Sequence, residues 1–208
     1  MTQAIRDISQ RLSPKLPVWP GDTAFAQAGT WAMAAGAPVN VSALRLSTHS
    51  GTHADAPLHY AQGAPDIASV ALDPYLGECV VVDAQACGPL ILPEHLPDLD
   101  RAKRVLFRTF ETFPHDYWPT DTVAIAPETI DALAAQGAVL VGLDGPSLDP
   151  QDSKTMAAHL AVLRHDMRVL EGLVLDDVPA GRYELIALPL AIAGGDAAPV
   201  RAVLRDLA

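Results

Sequence analysis

Eighteen prolines are distributed along this chain of 208 residues, and their spacing favours many short elements joined by turns. Proteins contain about 5% proline on average, and here the excess is not gathered into one proline-rich linker. Half of the residues are hydrophobic, which is enough to form a core, and the length favours one domain. We therefore predict that residues 1–208 form a single domain.

The short apolar runs between the turns predict strands more often than helices. Residues 39–47 alternate between apolar and polar side chains, as a half-buried strand does. Further strands are predicted over 79–83, 103–109, 138–144, 183–190 and 199–207. Two helices are predicted: 127–136, which opens with Pro127 and stops at Gly137, and 154–164, with Ser153 as its N-cap. The first helix lies between two strands as in a βαβ unit, so we expect an α/β fold rich in strands.

The composition narrows the possible partners. Lys and Arg total 14 and Asp and Glu total 25, giving a net charge of −11, which disfavours nucleic acid and anionic membrane surfaces. The sequence has no apolar run long enough for a transmembrane helix. The opening residues lack the apolar core of a secretory signal. Cys79 and Cys87 are too few for a disulfide framework or a cysteine zinc site. We expect a cytoplasmic protein with reduced cysteines.

Residues 49–59, with the sequence HSGTHADAPLH, carry the strongest chemical signal. This segment holds three of the seven histidines of the chain, together with Asp55. Imidazole nitrogen and carboxylate oxygen are ligands of Zn²⁺, Mn²⁺ and Fe²⁺. Any one of these histidines alone would more often be an ordinary core or surface residue. The whole group within eleven residues predicts a metal site instead.

The spacing of the motif predicts a bent, extended segment rather than a helix. Asp55 would lie off the helix face that His49 and His53 share, and Gly51 and Pro57 also disfavour a helix. In an extended chain the three side chains point to one side, but a straight strand would separate the Cα atoms of the two histidines by about 13 Å. We therefore predict that a strand ends near residue 47 and runs into a curled loop that bends at Gly51.

This motif matches the H-x-G-T-H-x-D-x-P-x-H signature of the cyclase-like metal-dependent hydrolases, and the chain resembles in particular the bacterial kynurenine formamidases. The signature is highly specific, and other parts of the chain carry weaker resemblance. Those parts are Asp7, residues 19–21, residues 143–150, His159, residues 171–173 and residues 187–204. The resemblance implies a swivelling β/β/α fold, usually assembled as a homodimer. It also implies hydrolysis of N-formyl-L-kynurenine to L-kynurenine and formate, within tryptophan degradation.

The resemblance assigns two Zn²⁺ ions per subunit. His49, His53 and Asp55 match the ligands of the first ion, and Asp55 would bridge to a second ion completed by His159 and Glu171. The chemistry of the residues agrees, since a carboxylate has two oxygens and can bind two cations, whereas an imidazole cannot. Taken alone, His159 would equally be a packed core residue and Glu171 a solvated one. Mn²⁺ suits the same nitrogen and oxygen ligands.

Two further residues take roles from the resemblance. His59 matches the catalytic acid/base, which would carry a proton from water to the leaving amine. The residue could instead orient a ligand or be an additional ligand. Trp19 matches a residue of the substrate pocket, although in its Pro/Gly turn it could simply be a packing anchor. On sequence alone we interpret residues 144–149 as a plain turn rather than as partners of the ligand histidines, and Gly194 and Gly195 are left unassigned.

Three other functions stay open. A related hydrolase of cyclic amides such as isatin shares the signature. Two histidines and one aspartate can also form the facial triad of a non-haem Fe(II) oxygenase, although that reading gives His159 and Glu171 no role. Finally, the metal could stabilise a binding module that has no catalytic activity.

Overall fold

The fold is a mixed α/β arrangement dominated by strands, in a computed structural model that describes residues 4–207. The strands in this range are β1 Ile5–Asp7, β2 Ala26–Trp31, β3 Val41–Arg45, β4 His53–Asp55, β5 Leu76–Asp83, β6 Leu90–Ile91, β7 Arg104–Arg108, β8 Ala124–Ile125, β9 Leu140–Leu143, β10 Arg168–Glu171, β11 Gly181–Ile186, β12 Ala197–Pro199 and β13 Val203–Asp206. The α-helices there are α1 Pro127–Ala135 and α2 Ala157–Arg164. The predicted α/β fold rich in strands is confirmed. Neither helix is long and apolar enough to cross a lipid bilayer.

A nine-stranded sheet organises the molecule, in the order β1-β13-β11-β5-β7-β9-β10-β4-β12. Its centre, from β5 to β10, is parallel, and the outer strands pair antiparallel. The pairing of β7 with β9 across α1 confirms the predicted βαβ unit. The two ends of the described chain meet where β1 pairs with β13. The boundaries 1–208 stay a prediction, since residues 1–3 and 208 lie outside the described range.

Both faces of this sheet are buried, which explains the nearly continuous apolar runs of the central strands. Side chains alternate between the faces: Val105 and Phe107 pack with α1 and α2, whereas Leu106, between them, packs into the opposite core. That opposite core includes Tyr75, which is fully buried, and side chains from β11 and β13. The parallel centre is therefore a rigid support for residues at its edge.

The predicted helices are present, but one begins later than expected. Helix α1 starts at Pro127 as predicted, and Gly137 follows it with a φ of +92°, a conformation that glycine adopts without strain. Helix α2 was predicted to begin at 154 with Ser153 as its cap, and this was wrong, because the helix begins at Ala157. The Asp149 carboxylate accepts the free backbone N–H groups of Ala158 and His159 at 3.0 and 3.1 Å, so a distant residue caps the first turn.

The predicted strands near the ends of the chain were partly displaced. Strand β11 covers Gly181–Ile186 rather than 183–190, and the last predicted strand is divided into β12 and β13. Sequence patterning did not reveal β2, which forms a separate hairpin with β3. All residues of both hairpin strands are exposed. Strand β2 therefore has no buried face to produce an alternation, and the alternation of residues 39–47 correctly indicated strand β3 but not a buried face.

Candidate metal centre

The signature segment bends as predicted and then enters the sheet. Gly51 has a φ of +66°, in the left-handed region, and the turn brings the ring centroids of His49 and His53 to 4.9 Å. The preceding strand ends at Arg45, close to the predicted position. Residues 53–55 do not continue the loop, and that part of the prediction was wrong. They form strand β4, held on both sides by β10 and β12, and all three residues are buried.

Sheet pairing and α2 bring the two distant residues to the signature. Glu171, the last residue of β10, lies directly opposite His53 of β4 in the strand register. His159 projects from the first turn of α2 and is 1% exposed. These two residues are a hundred or more positions from the motif in sequence, yet both contact it.

Two buried carboxylates lie at the centre of this group, and each divides its oxygens between the histidines. Asp55 Oδ1 is 3.2 Å from His49 Nδ1 and 3.5 Å from His53 Nε2, whereas Asp55 Oδ2 is 3.4 Å from His159 Nε2. Glu171 Oε2 is 3.4 Å from His53 Nε2, and Glu171 Oε1 is 3.3 Å from His159 Nε2. Glu171 Oε1 also accepts a hydrogen bond from the backbone N–H of Leu148. Both carboxylates thus have the geometry of bridging groups.

Each of the three histidines is oriented by a second acceptor on its other ring nitrogen. His53 Nδ1 lies 2.9 Å from the carbonyl oxygen of Gly51, and His159 Nδ1 lies 2.6 Å from Asp149 Oδ2. His49 Nε2 lies 3.2 Å from Asp196 Oδ2. A ring that donates one N–H to an acceptor presents the lone pair of its other nitrogen. In all three rings that other nitrogen faces Asp55, which is the arrangement typical of metal-ligating histidines.

Several buried atoms of the group have no hydrogen-bond partner among residues 4–207. They are His53 Nε2 and both carboxylate oxygens of Asp55. Buried polar atoms in proteins nearly always have a partner, so these atoms indicate a ligand between them. Ligands about 2.1 Å from a tetrahedral ion are about 3.4 Å from one another, and the N–O separations above agree with this value. The residues present therefore fit divalent cations.

The ionisation of the group without a cation follows from its burial and its contacts. Burial raises the pKa of Asp55, but the nearby imidazoles of His159 and His49 outweigh it and hold the pKa well below its usual value. Burial lowers the pKa of His49, yet Asp55 and Asp196 outweigh it and raise the pKa to about 9. The pKa of His159 is raised in the same way, against burial, first by Asp149 and then by Asp55. Protons on the rings thus offset the two carboxylates in this state.

His59 lies beside this group at the end of a short 3₁₀ turn, Pro57–His59. Its ring centroid is 4.3 Å from that of His49 and 6.1 Å from that of His159, and its side chain is 30% exposed. One ligand atom each from His49, Asp55 and His59 lies within 4.8 Å of the others, and the same holds for His53, Asp55 and Glu171. The geometry accommodates either an acid/base or an additional ligand at His59, and its role stays a prediction.

A cavity of about 330 Å³ opens above the group. His49, His53, His59, His159 and Glu171 are among its lining residues. Five aromatic residues also line it: Trp19, Phe110, Phe113, Tyr117 and Trp118. No Lys or Arg of the described chain is part of this lining. The cavity thus combines a polar cluster with an aromatic wall, as small-molecule sites commonly do.

Trp19 belongs to this wall, where it stacks edge-on against Trp118 with 5.5 Å between ring centroids. Trp118 donates its indole N–H to Gln151 Oε1 at 3.0 Å, and the Gln151 amide donates to the carbonyl of Pro119 at 2.6 Å. The two indoles are therefore held as one unit. Trp118 was not predicted from sequence, because an isolated aromatic residue in a Pro-containing loop gives no signal of its own.

Two carboxylates that contact the histidines of this group were also missed. The interpretation of residues 144–149 as a plain turn was wrong, since Asp149 accepts a hydrogen bond from His159. Asp144, in the same loop, accepts the backbone N–H groups of Thr109 and Phe110 and so fixes the start of the aromatic segment. Asp196 follows Gly194 and Gly195 and contacts His49. Acidic residues beside glycine and proline are common in ordinary turns, which conceals such roles.

Comparison with known proteins gives full-length matches. The family model named Cyclase matches residues 6–150. The kynurenine formamidase of Erythrobacter litoralis strain HTCC2594 is 60% identical over 203 residues, covering 98% of this chain and 94% of its own length. The kynurenine formamidase of Maricaulis maris strain MCS10 is also 60% identical, over 97% of both chains.

Solved structures agree with this result and confirm the cyclase-like fold implied by the signature. A structure described as a potential metal-dependent hydrolase with cyclase activity superposes with a TM-score of 0.86 at 26% identity, over 100% of both chains. Isatin hydrolase A from Labrenzia aggregata superposes with a TM-score of 0.85 at 23% identity, over 98% of this chain and 94% of its own, which is a likeness of fold alone. The chain therefore belongs to the cyclase family, as a relative of the kynurenine formamidases.

Proposed function

We propose that this protein is a metal-dependent kynurenine formamidase that hydrolyses N-formyl-L-kynurenine to L-kynurenine and formate, in tryptophan degradation. The observation that carries the chemistry is the group of three histidines and two carboxylates at an aromatic-lined cavity. The substrate follows from the kynurenine formamidases that are 60% identical over nearly the whole chain. Isatin hydrolases share the fold at lower identity and give the alternative substrate class.

Two Zn²⁺ ions per subunit are the cofactors of this proposal. His49, His53 and Asp55 would hold the first ion, and Asp55, His159 and Glu171 the second. The N–O separations of 3.2–3.5 Å and the unpartnered atoms of His53 and Asp55 support this division. When bound, the cations would supply a Lewis acid that brings the pKa of water towards about 7 and polarises the formyl carbonyl. Mn²⁺ suits the same ligands.

His59 acts as the acid/base in this scheme. The oxygen of water adds to the formyl carbon, and His59 accepts the proton that the water loses. The C–N bond then breaks, and His59 returns the proton to the aromatic nitrogen, which leaves as the amine of L-kynurenine while the other product is formate. The position of His59 in the cavity lining, partly exposed and beside His49, supports this proton transfer.

The aromatic wall binds the ring of the substrate. Trp19 and Trp118 form an edge-to-face pair, and such rings pack well against a planar aromatic ligand. The aryl ring is thus the part of the substrate that this wall recognises. The group that reads the amino-acid end is left unassigned.

We also propose that the protein is a homodimer joined through the β2–β3 hairpin. A two-stranded hairpin is marginally stable by itself, and this one exposes Trp31, Met33 and Leu44 at 58%, 59% and 56%. Sedimentation equilibrium should give twice the chain mass of 22.0 kDa, and Leu44→Glu should shift the protein towards the single-chain mass. A wild-type protein that sediments as one chain at assay concentrations would refute the dimer. The cytoplasmic location stays a prediction.

The proposed activity is tested with chelator-washed protein that is reconstituted with Zn²⁺. We expect formylkynurenine hydrolysis, followed by absorbance, to depend on added metal, to proceed fully without O₂, and to exceed isatin hydrolysis in kcat/KM. A higher kcat/KM for isatin would assign the alternative substrate, and a need for O₂ would assign an oxygenase. His59→Ala should retain its metals and lose about 10²–10⁴-fold in kcat. Metal binding without turnover of either substrate would indicate a binding module.

A further inference from the structure

The glycine pair Gly194–Gly195 forms a turn that fixes the position of the next residue, Asp196. Gly194 has a φ of +74°, and its backbone N–H donates to Asp66 Oδ2 at 2.6 Å. A Cβ on Gly195 would lie 3.0 Å from the carbonyl oxygen of Ile192, so a side chain there would crowd the turn. The carbonyl of Gly195 accepts the N–H of Ile67 at 2.9 Å. The backbone before Asp196 is therefore tied to a neighbouring loop.

The backbone after this turn is tied to the signature strand. The carbonyl of Asp196 accepts the N–H of Ala56 at 2.8 Å, and strand β12 then pairs with β4. Because β4 carries His53 and Asp55, the Asp196 backbone has a fixed distance to the metal centre. Its side chain is consequently held in one place, beside the rings of His49 and His59.

The Asp196 carboxylate divides its oxygens between an anchor and two histidines. Oδ1 accepts the hydroxyl of Thr48 at 2.8 Å, which fixes the rotation of the carboxylate. Oδ2 lies 3.2 Å from His49 Nε2 and 3.5 Å from His59 Nδ1. The two groups of residues in the described chain whose ligand atoms cluster within 4.8 Å do not include Asp196. Its oxygens thus face one hydroxyl and two rings, which places it to orient those rings.

We propose that Asp196 is a positioning residue that orients both His49 and His59 for the reaction. His49 donates its Nε2 proton to Asp196, so its other ring nitrogen, Nδ1, faces Asp55. Asp196 also attracts Nδ1 of His59, which leaves Nε2 of that ring for proton transfer. One carboxylate thus couples the first metal position to the acid/base. This inference rests on the proposed function. The Asp196 side chain is 43% exposed, so its removal should leave folding intact.

The test compares Asp196→Asn with a matched control, Asp66→Asn. Each variant removes one carboxylate charge, and Asp66, on the neighbouring loop, contacts the Gly194 backbone and neither ring. An asparagine at position 66 keeps an oxygen that can accept the Gly194 N–H, so the turn that places Asp196 is retained. Thr48→Val keeps the Asp196 charge and removes only its anchor. Zn²⁺ affinity is measured on the metal-free proteins by chelator competition, ring geometry by the visible spectrum after Co²⁺ substitution, and kcat and KM on the zinc enzymes.

We expect Asp196→Asn to lose about 10–100-fold in Zn²⁺ affinity or kcat, with a changed Co²⁺ spectrum and an unchanged KM. Thr48→Val should show smaller changes in the same quantities, and Asp66→Asn should match wild type in Zn²⁺ affinity, kcat and Co²⁺ spectrum. Wild-type affinity, spectrum and kcat in Asp196→Asn would overturn the inference while leaving the proposed function intact. If Asp196→Asn does not fold, Thr48→Val decides, and wild-type values there overturn the inference. A wild-type protein that binds no Zn²⁺ overturns both proposals.

Discussion

Zn²⁺ binding to the metal-free protein should release protons, and His49 is the first source of them. Burial lowers the pKa of His49, but the adjacent carboxylates of Asp55 and Asp196 outweigh burial and raise the pKa to about 9. At pH 7 the ring is then protonated in a ratio of about 100 to 1. A histidine that binds a metal must be neutral at the ligating nitrogen, so binding expels this proton, at a cost of roughly 3 kcal/mol at pH 7. His159, whose pKa is also raised, supplies up to one more proton.

We therefore expect release of about one to two protons per chain when both positions fill at pH 7. Asp55 contributes none, since its pKa lies below the usual value and the group is already ionised. Zn²⁺ affinity at the His49 position should rise about tenfold per pH unit between pH 6 and 8, and release from His49 should fall to about half a proton near pH 9.

Calorimetry in two buffers of different ionisation enthalpy measures the proton count directly. His165→Ala is the matched control, because His165 pairs with Asp131 on an exposed surface and should not change the count. Two Zn²⁺ ions bound at pH 7 with no proton released would refute the reasoning, since the cations would then be held by groups other than these protonated rings.

Four further outcomes follow from the same geometry. His159→Ala should reduce Zn²⁺ from two to about one per chain by elemental analysis, and two retained ions would contradict the assignment. Trp118→Ala should raise KM with little change in kcat, because it removes one wall of the cavity; an unchanged KM argues against ring stacking. In β9, a Cβ on Gly142 would lie 2.9 Å from Leu106 Cδ2, so Gly142→Ala should cost about 1–3 kcal/mol and lower Tm by several degrees, and an unchanged Tm contradicts this. The metal-free protein should lose stability as the pH rises from about 6.5 to about 9, because the contacts that raise the pKa of His49 stabilise the fold only while the ring is protonated. A Tm that rises with pH over this window would contradict the prediction.

The central strands were predictable because burial on both faces leaves a clear mark on the sequence. Residues 79–83, 103–109 and 138–144 are short β-branched runs, and they correspond to β5, β7 and β9. Strand β4 was not predicted, since three residues cannot display a period of two and its His-Ala-Asp sequence is shaped by chemistry rather than by packing. Strand patterning therefore fails first where the backbone serves the site.

Some residues of the candidate site could be predicted from a local motif, whereas others depend on contacts between distant parts of the chain. The signature predicted four of its residues, because their spacing and types are visible within eleven positions of sequence. His159 and Glu171 entered only through resemblance to a family, since the contact of each with Asp55 or His53 depends on the order of strands in the sheet. Sheet order is a long-range property that no local pattern encodes.

The wrong start of helix α2 and the missed role of Asp149 have the same cause. Its carboxylate accepts the first free N–H groups of α2, which delays the helix to Ala157, and it also accepts the His159 ring N–H at 2.6 Å. The same oxygens thus set where the helix starts and which nitrogen of His159 faces Asp55 and Glu171. A local cap at Ser153 would have placed the helix start without orienting the ring. The departure from ordinary capping thus lies at a residue whose carboxylate also orients the His159 ring.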